Sequence, residues 1–173
     1  MKRFLLYLFM IFFLGGCSAL THFTLHYDEE ITISPGLGIG IPYTSATPSF
    51  PTNTAIPFQN NNTNKDLLEG CRLSSMRAEL LTPDGYDFSF LNTIEVFLSA
   101  PLMAEVKIAF ANDIPETIGT ELVFSMTNEE LVEYIKQDNL IIRITTTQDK
   151  ITTQEVKAQL YMSFFVDANI LGM

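Results

Sequence analysis

The sequence has few of the residues that carry catalysis, metal binding or nucleic-acid contacts. It holds 2 histidines and 2 cysteines, and 10 basic residues stand against 20 acidic ones among 173 residues. The acidic balance disfavours nucleic acid as a partner. A G-x-S-x-G hydrolase motif and the EF-hand spacing are both absent. We therefore expect a protein that is not an enzyme, with no catalytic residues and no cofactor.

The motifs that come closest to a metal site or a phosphate-binding loop lack the geometry that such sites need. His22 and His26 share one face of a predicted strand, about 13 Å apart by strand rise. One zinc ion, with bonds of about 2.0–2.1 Å, does not reach both directly. The glycines from Gly36 to Gly40 lack the Lys-Ser/Thr ending of a phosphate loop, and Pro42 opposes the helix that would follow. We expect no metal site.

Only one long apolar run occurs, from Phe4 to Leu14. It is 11 residues long, too short for a bilayer span of about 20 residues. Lys2 and Arg3 precede it and small residues follow it, which is the order of a secretory signal. We predict a signal peptide over 1–16. The alternatives are an uncleaved anchor and an ordinary secretory signal beside an unrelated cysteine.

The run ends in Leu14-Gly15-Gly16-Cys17, which resembles the lipobox of bacterial lipoproteins. The resemblance implies diacylglyceryl attachment to the Cys17 thiol, cleavage before it, and acylation of the new amino group by a fatty acid such as palmitate. Ser18 resembles the outer-membrane class, and 19–22 carry no acidic export signal. We expect an outer-membrane protein that faces the periplasm, with surface exposure left open.

Processing leaves 8 basic residues against 20 acidic ones, a formal charge of −12. We interpret this charge as favouring solubility rather than cation binding. Residues 17–171 suffice for a single domain. With Cys17 lipidated, Cys71 has no intramolecular disulfide partner. It is either a small buried apolar residue, which we favour, or a reactive or intermolecularly paired thiol.

Period-two alternation predicts a mainly β chain, an antiparallel immunoglobulin-like β-sandwich of about seven or eight strands. Asp28–Glu30 is expected to make a local break or bulge in the first strand, and the last strand is expected to be the longest. One short helix is predicted near 128–137, because Thr127 and Glu130 have capping-box spacing. The predicted strands are 21–34, 71–81, 94–99, 105–111, 121–126, 140–147 and 153–170; in that over 105–111, Val106, Ile108 and Phe110 are expected on one face.

The stretch 35–64 differs in texture from the rest of the chain. It is rich in proline, glycine and asparagine and contains five of the eight prolines. Because proline removes ladder donors, we predict only short edge strands or loops here, with 56–58 as one edge strand.

Several sequence segments, taken in their order along the chain, show a resemblance to a known family. They resemble a group of small uncharacterised bacterial lipoproteins with a β-sandwich body. The resemblance implies fold and location and supplies no catalytic or binding residues. These segments are 87–91, 94–98, 112–115, 139–147 and 165–168.

Two functions fit these observations. The first is a membrane-anchored, non-enzymatic interaction or accessory subunit, which binds an envelope protein through its sheet edges or through 35–64. The alternative is a carrier of a small molecule or lipid, with a cavity between the sheets lined by Phe88, Phe90, Phe97, Phe110 and Phe164.

The lipid anchor is testable by substitution. Cys17→Ala should abolish acyl labelling and move the protein out of the membrane fraction, because one residue supplies the thiol and the new amino group. Metabolic labelling with a fatty acid and fractionation measure both. Cys71→Ala is the matched control and should keep label and location. A Cys17→Ala protein that retains both would contradict the lipoprotein prediction.

Overall fold

The computed structural model describes residues 22–35 and 38–170. The predicted signal peptide and the lipobox residues Leu14, Gly15, Gly16 and Cys17 lie outside them. The described residues contain two short α-helices, α1 (Ala55–Asn60) and α2 (Val132–Ile135), and two 3-10 turns, Lys65–Leu67 and Phe88–Phe90. The strands are β1 (His22–Ile33), β2 (Tyr43–Ala46), β3 (Phe50–Pro51), β4 (Leu68–Thr82), β5 (Leu91–Ser99), β6 (Val106–Ala111), β7 (Glu121–Val123), β8 (Ser125–Met126), β9 (Asn139–Gln148) and β10 (Val156–Ala168).

The strands form two antiparallel sheets, ordered β1-β10-β4-β7 and β2-β9-β5-β6-β8, with β3 also paired to β9. The predicted antiparallel β-sandwich is confirmed. β2 and β3 share one partner strand, and only Phe124 separates β7 from β8. When each pair counts as one strand, the eight strands are ordered 1-8-3-6 in the first sheet and 2-7-4-5 in the second, where the β8 part of strand 6 adds a short edge beside strand 5. Within the sandwich class this is the jelly-roll order, which refines the immunoglobulin-like prediction.

Alternating side chains of both sheets build one core. Every second residue of β10 is buried, as predicted. However, the longest strand is β4, with 15 residues against 13 for β10. The buried side chains of β10 are Val156, Ala158, Leu160, Met162, Phe164, Val166 and Ala168.

The predicted break or bulge in β1 at Asp28–Glu30 is wrong. All twelve residues of β1 pair with β10 without a register shift. Glu29 continues the inward-facing series between Tyr27 and Ile31 but is only half-buried. Because β1 is an edge strand, the stem of Glu29 can lie along the core while its carboxylate reaches solvent.

A β-bulge places Phe110 on the opposite face of β6 from the one predicted. The register between β5 and β6 shifts at Val96 and Phe97. Ile108 and Ala109 are consequently both buried, although they are neighbours. The bulge sends Phe110 to the outer face, where the Lys107 ammonium lies 5.9 Å from its ring centroid. Alternation alone does not locate such an extra residue.

The helix predicted near 128–137 exists, but it is only the four-residue α2. The Thr127 hydroxyl donates to the Lys107 carbonyl, because Thr127 prolongs the pairing with β6. The Glu130 carboxylate accepts from the backbone N–H of Cys71 at 2.7 Å and of Leu131 at 3.1 Å. The predicted capping box is therefore wrong, because Thr127 bonds to β6 through its N–H and its hydroxyl, and Glu130 accepts from Cys71 and from the residue that follows it rather than from the Thr127 N–H.

The stretch 56–58 is also not an edge strand. It belongs to α1, where Pro57 lies in the first turn and its missing N–H costs no helical hydrogen bond. The remainder of 35–64 does contain short edge strands, β2 and β3, as predicted.

Two neighbouring phenylalanines on β10 test the core. The side chain of Phe164 is 1% exposed and that of Phe165 is 42% exposed. Phe164→Ala should lower the free energy of unfolding by about 3–5 kcal/mol, because it leaves a cavity between the sheets. Phe165→Ala should cost less than about 1.5 kcal/mol. Urea denaturation measures both, and equal losses would contradict this assignment of faces.

Candidate functional site

Cys71 lies on the inner face of β4 and is 0% exposed, so the predicted burial is confirmed. Burial, followed by the nearby Glu130 carboxylate, raises the pKa of the Cys71 thiol to about 12. The thiol is therefore protonated at neutral pH and is a poor nucleophile. Cys71 contributes to packing and not to chemistry.

The two histidines each have their own partner. His22 Nε2 lies 3.3 Å from Asp167 Oδ1, and its ring contacts that of Phe165. His26 Nδ1 lies 3.1 Å from the Ser163 hydroxyl. Across 22–35 and 38–170, no three histidine, cysteine, aspartate or glutamate side chains are grouped closely enough to hold a metal ion.

The five phenylalanines named for a carrier cavity do not share one. Phe88, Phe90 and Phe164 are buried in the core. Phe97 and Phe110 lie on the outer face of the sheet that contains β5 and β6. The Arg143 guanidinium lies 4.0 Å from the Phe97 ring centroid. The predicted lining is wrong, because β5 and β6 turn these two rings away from the core.

A cleft of about 610 Å³ lies instead in the proline- and asparagine-rich stretch 35–64, which the sequence suggests as a binding segment without locating a cleft in it. The 51–65 stretch, which contains α1, supplies most of its wall, and the turn before β9 adds Asp138. The lining residues are Pro51, Thr52, Asn53, Thr54, Ala55, Phe58, Gln59, Asn62, Thr63, Asn64, Lys65 and Asp138.

Thr52 fixes one wall of the cleft with its backbone N–H, its backbone carbonyl and its side-chain hydroxyl. Its N–H donates to the Asp138 carbonyl at 3.0 Å, and its hydroxyl donates to the Gln137 carbonyl at 2.8 Å. Its carbonyl accepts a 2.7 Å hydrogen bond from the buried Tyr27 hydroxyl. Burial, the larger cause, and the nearby Cys71 raise the pKa of Tyr27, so its phenol remains a donor. These bonds replace the sheet ladder that the prolines prevent.

The opposite wall is held by Thr63. Its hydroxyl donates to the Asn169 carbonyl at 2.6 Å, and its N–H donates to the Phe58 carbonyl at 3.0 Å. Asn53 and Asn62 adopt φ of 47° and 51° on either side of α1. Asparagine tolerates this left-handed conformation better than most side chains. The walls are therefore ordered by the protein itself.

Lys65 and Asp138 form the charged rim of the cleft. Lys65 Nζ lies 2.9 Å from Asp138 Oδ1 and also donates to the Gln137 carbonyl at 3.3 Å. The side chain of Asp138 is 92% exposed and that of Lys65 only 32%. An ion pair this exposed is weak. A ligand carboxylate or carbonyl could replace Asp138 as the partner of Lys65.

The remaining lining groups are neutral hydrogen-bonding groups above an apolar floor. Asn53, Gln59 and Asn62 supply amides, and the floor includes Phe58, whose ring meets that of Phe23 edge-on at 5.7 Å. No histidine, cysteine or serine is among the lining residues of this cleft. The arrangement suits binding of peptide amides, hydroxyls or a single anionic group.

Comparisons with known proteins do not identify a family. No protein-family model matches the chain, and no curated protein sequence matches it. Within the described part of the chain, no helix has the length and apolar character to cross a bilayer.

Three solved structures show distant similarity. A decameric BFDV capsid protein is 12% identical over 86% of this chain and 99% of that one, with a TM-score of 0.35. The Desmodium yellow mottle tymovirus structure is 10% identical over 88% and 85%, with a TM-score of 0.27. Carbohydrate-binding modules of the β-sandwich superfamily are 8% identical over 89% and 57%, with a TM-score of 0.28. TM-scores this low do not establish a shared fold. The jelly-roll assignment rests on the strand order of this chain.

The raised pKa of Cys71 predicts a pH dependence. An unfolded thiol titrates near its ordinary value of 9.0, whereas the folded thiol titrates at about 12. The free energy of unfolding is therefore unaffected by this thiol below pH 9.0. It falls as the pH rises from 9.0 towards 12, because in that window the thiol loses its proton in the unfolded state and keeps it in the folded state.

Urea unfolding across this range should therefore show stability that falls more steeply in the wild type than in Cys71→Ala. The folded thiol should also resist an aromatic disulfide reagent at about pH 8, where an exposed thiol reacts. Rapid modification of the folded protein would contradict the burial of Cys71.

Proposed function

We propose that the chain is a lipid-anchored lipoprotein of the cell envelope that binds a partner through the 51–65 cleft and catalyses no reaction. Cys17 is the proposed lipid attachment site, in the outer membrane and facing the periplasm. The observation that carries the proposal is the position of the cleft, which lies at the end of the domain where β1 begins.

Pairing across the first sheet supports this position. His22, the first residue of β1, is opposite Asp167 near the end of β10, and Asp167 is opposite Gly70 near the start of β4. The Asn169 N–H then donates to the Leu67 carbonyl at 2.9 Å. Leu67 follows the cleft residue Thr63 by four positions in the sequence. The start of β1 and the cleft are therefore neighbours.

A short tether would keep that end close to the bilayer. Four residues separate Cys17 from His22, and the fully extended chain between them spans at most about 17 Å. A lipidated Cys17 would therefore hold the cleft close to the headgroups. Co-localisation with other envelope proteins raises the effective concentration of a partner without additional contacts.

The chemistry of the cleft supports binding over catalysis. Its hydrogen-bonding groups are held in place before a ligand arrives, which lowers the entropic cost of association. Amides, hydroxyls and one lysine complement a protein loop or a polar small molecule. The charge of −12 on the processed chain disfavours nucleic acid.

A small-molecule or lipid carrier is the second candidate. The volume of about 610 Å³ favours it, since ligand pockets typically measure about 300–1,000 Å³. The site would then be the open cleft rather than a cavity between the sheets.

Site-specific photocrosslinking in intact cells tests the proposal. A benzophenone amino acid at Gln59, an exposed cleft residue, should give a discrete protein adduct. The same group at Gln154, exposed outside the lining residues, should not. The Gln59 adduct should also weaken in a Cys17→Ala background, because the anchor supplies proximity.

Mass spectrometry of the adduct separates the two candidates. A stoichiometric envelope protein supports the interaction subunit, and a co-purifying lipid or small molecule supports the carrier. Identical adducts from both positions would contradict a role for the cleft.

A further inference from the structure

A second surface, separate from the cleft in its chemistry, lies along the outer edge of β1. β1 is the edge strand of its sheet and pairs on one side only, with β10. At its far end the Ser45 hydroxyl donates to the Thr32 carbonyl at 2.7 Å. Between His22 and Ile31, no backbone partner from the described residues occupies the outer side.

This edge carries one of the usual protections against strand addition, the inward-facing charge of Glu29 with its acidic neighbours, and lacks the others. Exposed edges are commonly interrupted by a bulge, a proline or a lysine, or are very short. β1 has twelve residues in continuous register with β10, and its sequence contains no proline and no lysine. In an antiparallel pair alternate residues direct their N–H and C=O groups outward, so this length presents a regular row of free donors and acceptors.

A groove of about 450 Å³ runs beside this edge. One wall is β1 from Thr24 to Glu29, and the other is formed by Pro51–Asn53 and Pro57. The two prolines have no N–H to donate across the groove. The facing segment therefore leaves the backbone of β1 available to another chain.

The charges along the edge indicate which chain would fit. Asp28, Glu29 and Glu30 are consecutive, and Lys157 Nζ neutralises only Glu30, at 3.0 Å from Oε1. The side-chain carboxylates of Asp28 and Glu29 form no hydrogen bond or ion pair with any residue in the described part of the chain. Burial, and secondarily the charge of Asp28, raises the pKa of Glu29, so a nearby cation would relieve an uncompensated carboxylate.

We propose that the outer edge of β1, between Thr24 and Glu29, binds an extended, lysine- or arginine-bearing peptide segment as an added strand. Backbone hydrogen bonds supply the affinity, and pairing of basic side chains with Asp28 and Glu29 supplies the selectivity. The surface differs from the proposed cleft, although both use Pro51–Asn53. It does not depend on the lipid anchor.

The test uses the full chain, purified in a non-ionic detergent, and synthetic ten-residue valine-rich peptides with two adjacent lysines or two adjacent glutamates at the centre, because Asp28 and Glu29 point to opposite faces of the sheet. The lysine peptide should bind at least about tenfold more tightly than the glutamate peptide by fluorescence anisotropy, a difference of about 1.4 kcal/mol. N-methylation of alternate amides along one edge of the lysine peptide should weaken binding by a similar factor, because it removes ladder donors. Equal binding of the lysine and glutamate peptides, or no effect of N-methylation, would overturn the proposal.

Protein variants localise the site. The double variant Asp28→Asn, Glu29→Gln should raise the Kd of the lysine peptide about three- to tenfold. Glu129→Gln removes the same type of exposed charge outside the groove and should leave the Kd unchanged. If both variants weaken binding equally, the attraction comes from net charge and the proposal fails.

Hydrogen exchange gives a readout independent of charge. The lysine peptide should slow amide exchange within 22–33 and not within 121–126, the opposite edge of the same sheet and its continuation. Protection elsewhere would place the peptide at another site and overturn the proposal. Sedimentation of the free chain as a dimer whose formation itself slows exchange within 22–33 and excludes the peptide would assign the edge to a second copy, which also overturns the proposal.

Discussion

The insertion of β10 between β1 and β4 is the constraint on which the rest of the structure depends. The last strand of the chain pairs on one side with the first strand and on the other with the longest. Its inner face is buried along its whole length and meets the second sheet in the core. The four-stranded sheet is therefore complete only when the two ends of the described chain have come together. Such long-range pairing makes the fold rich in non-local contacts, a topology associated with slow folding.

The functional surfaces follow from this closure. Where β10 ends, Asn169 accepts from Thr63 and bonds to Leu67, and so fixes one side of the cleft. On the inner face of β1, Tyr27 reaches Thr52 and fixes the other side. A segment that cannot pair extensively as a sheet is thus ordered by hydrogen bonds to strands that are already in place. Loops held by a rigid scaffold are common locations for binding sites.

The cleft and the edge of β1 share the Pro51–Asn53 segment but differ in chemistry. The cleft presents neutral amides and a lysine, whereas the edge presents backbone groups and two unpaired carboxylates. A ligand that shifts Pro51–Asn53 from one side would change the width of the site on the other side. This arrangement suits an accessory protein that contacts two segments of a partner near the bilayer, in keeping with the proposed anchor at Cys17.

The sequence by itself determined the antiparallel sandwich, the burial of Cys71 and the irregular nature of 35–64. These properties depend on local alternation and on proline, and both can be read over a few residues. Tertiary structure alone decided the jelly-roll strand order, the bulge that turns Phe110 outward and the use of Glu130 as an acceptor for Cys71. Each of these depends on a partner distant in sequence. The cleft belongs to the same class, because Thr52, Lys65 and Asp138 meet only after β9 and β10 have taken their places.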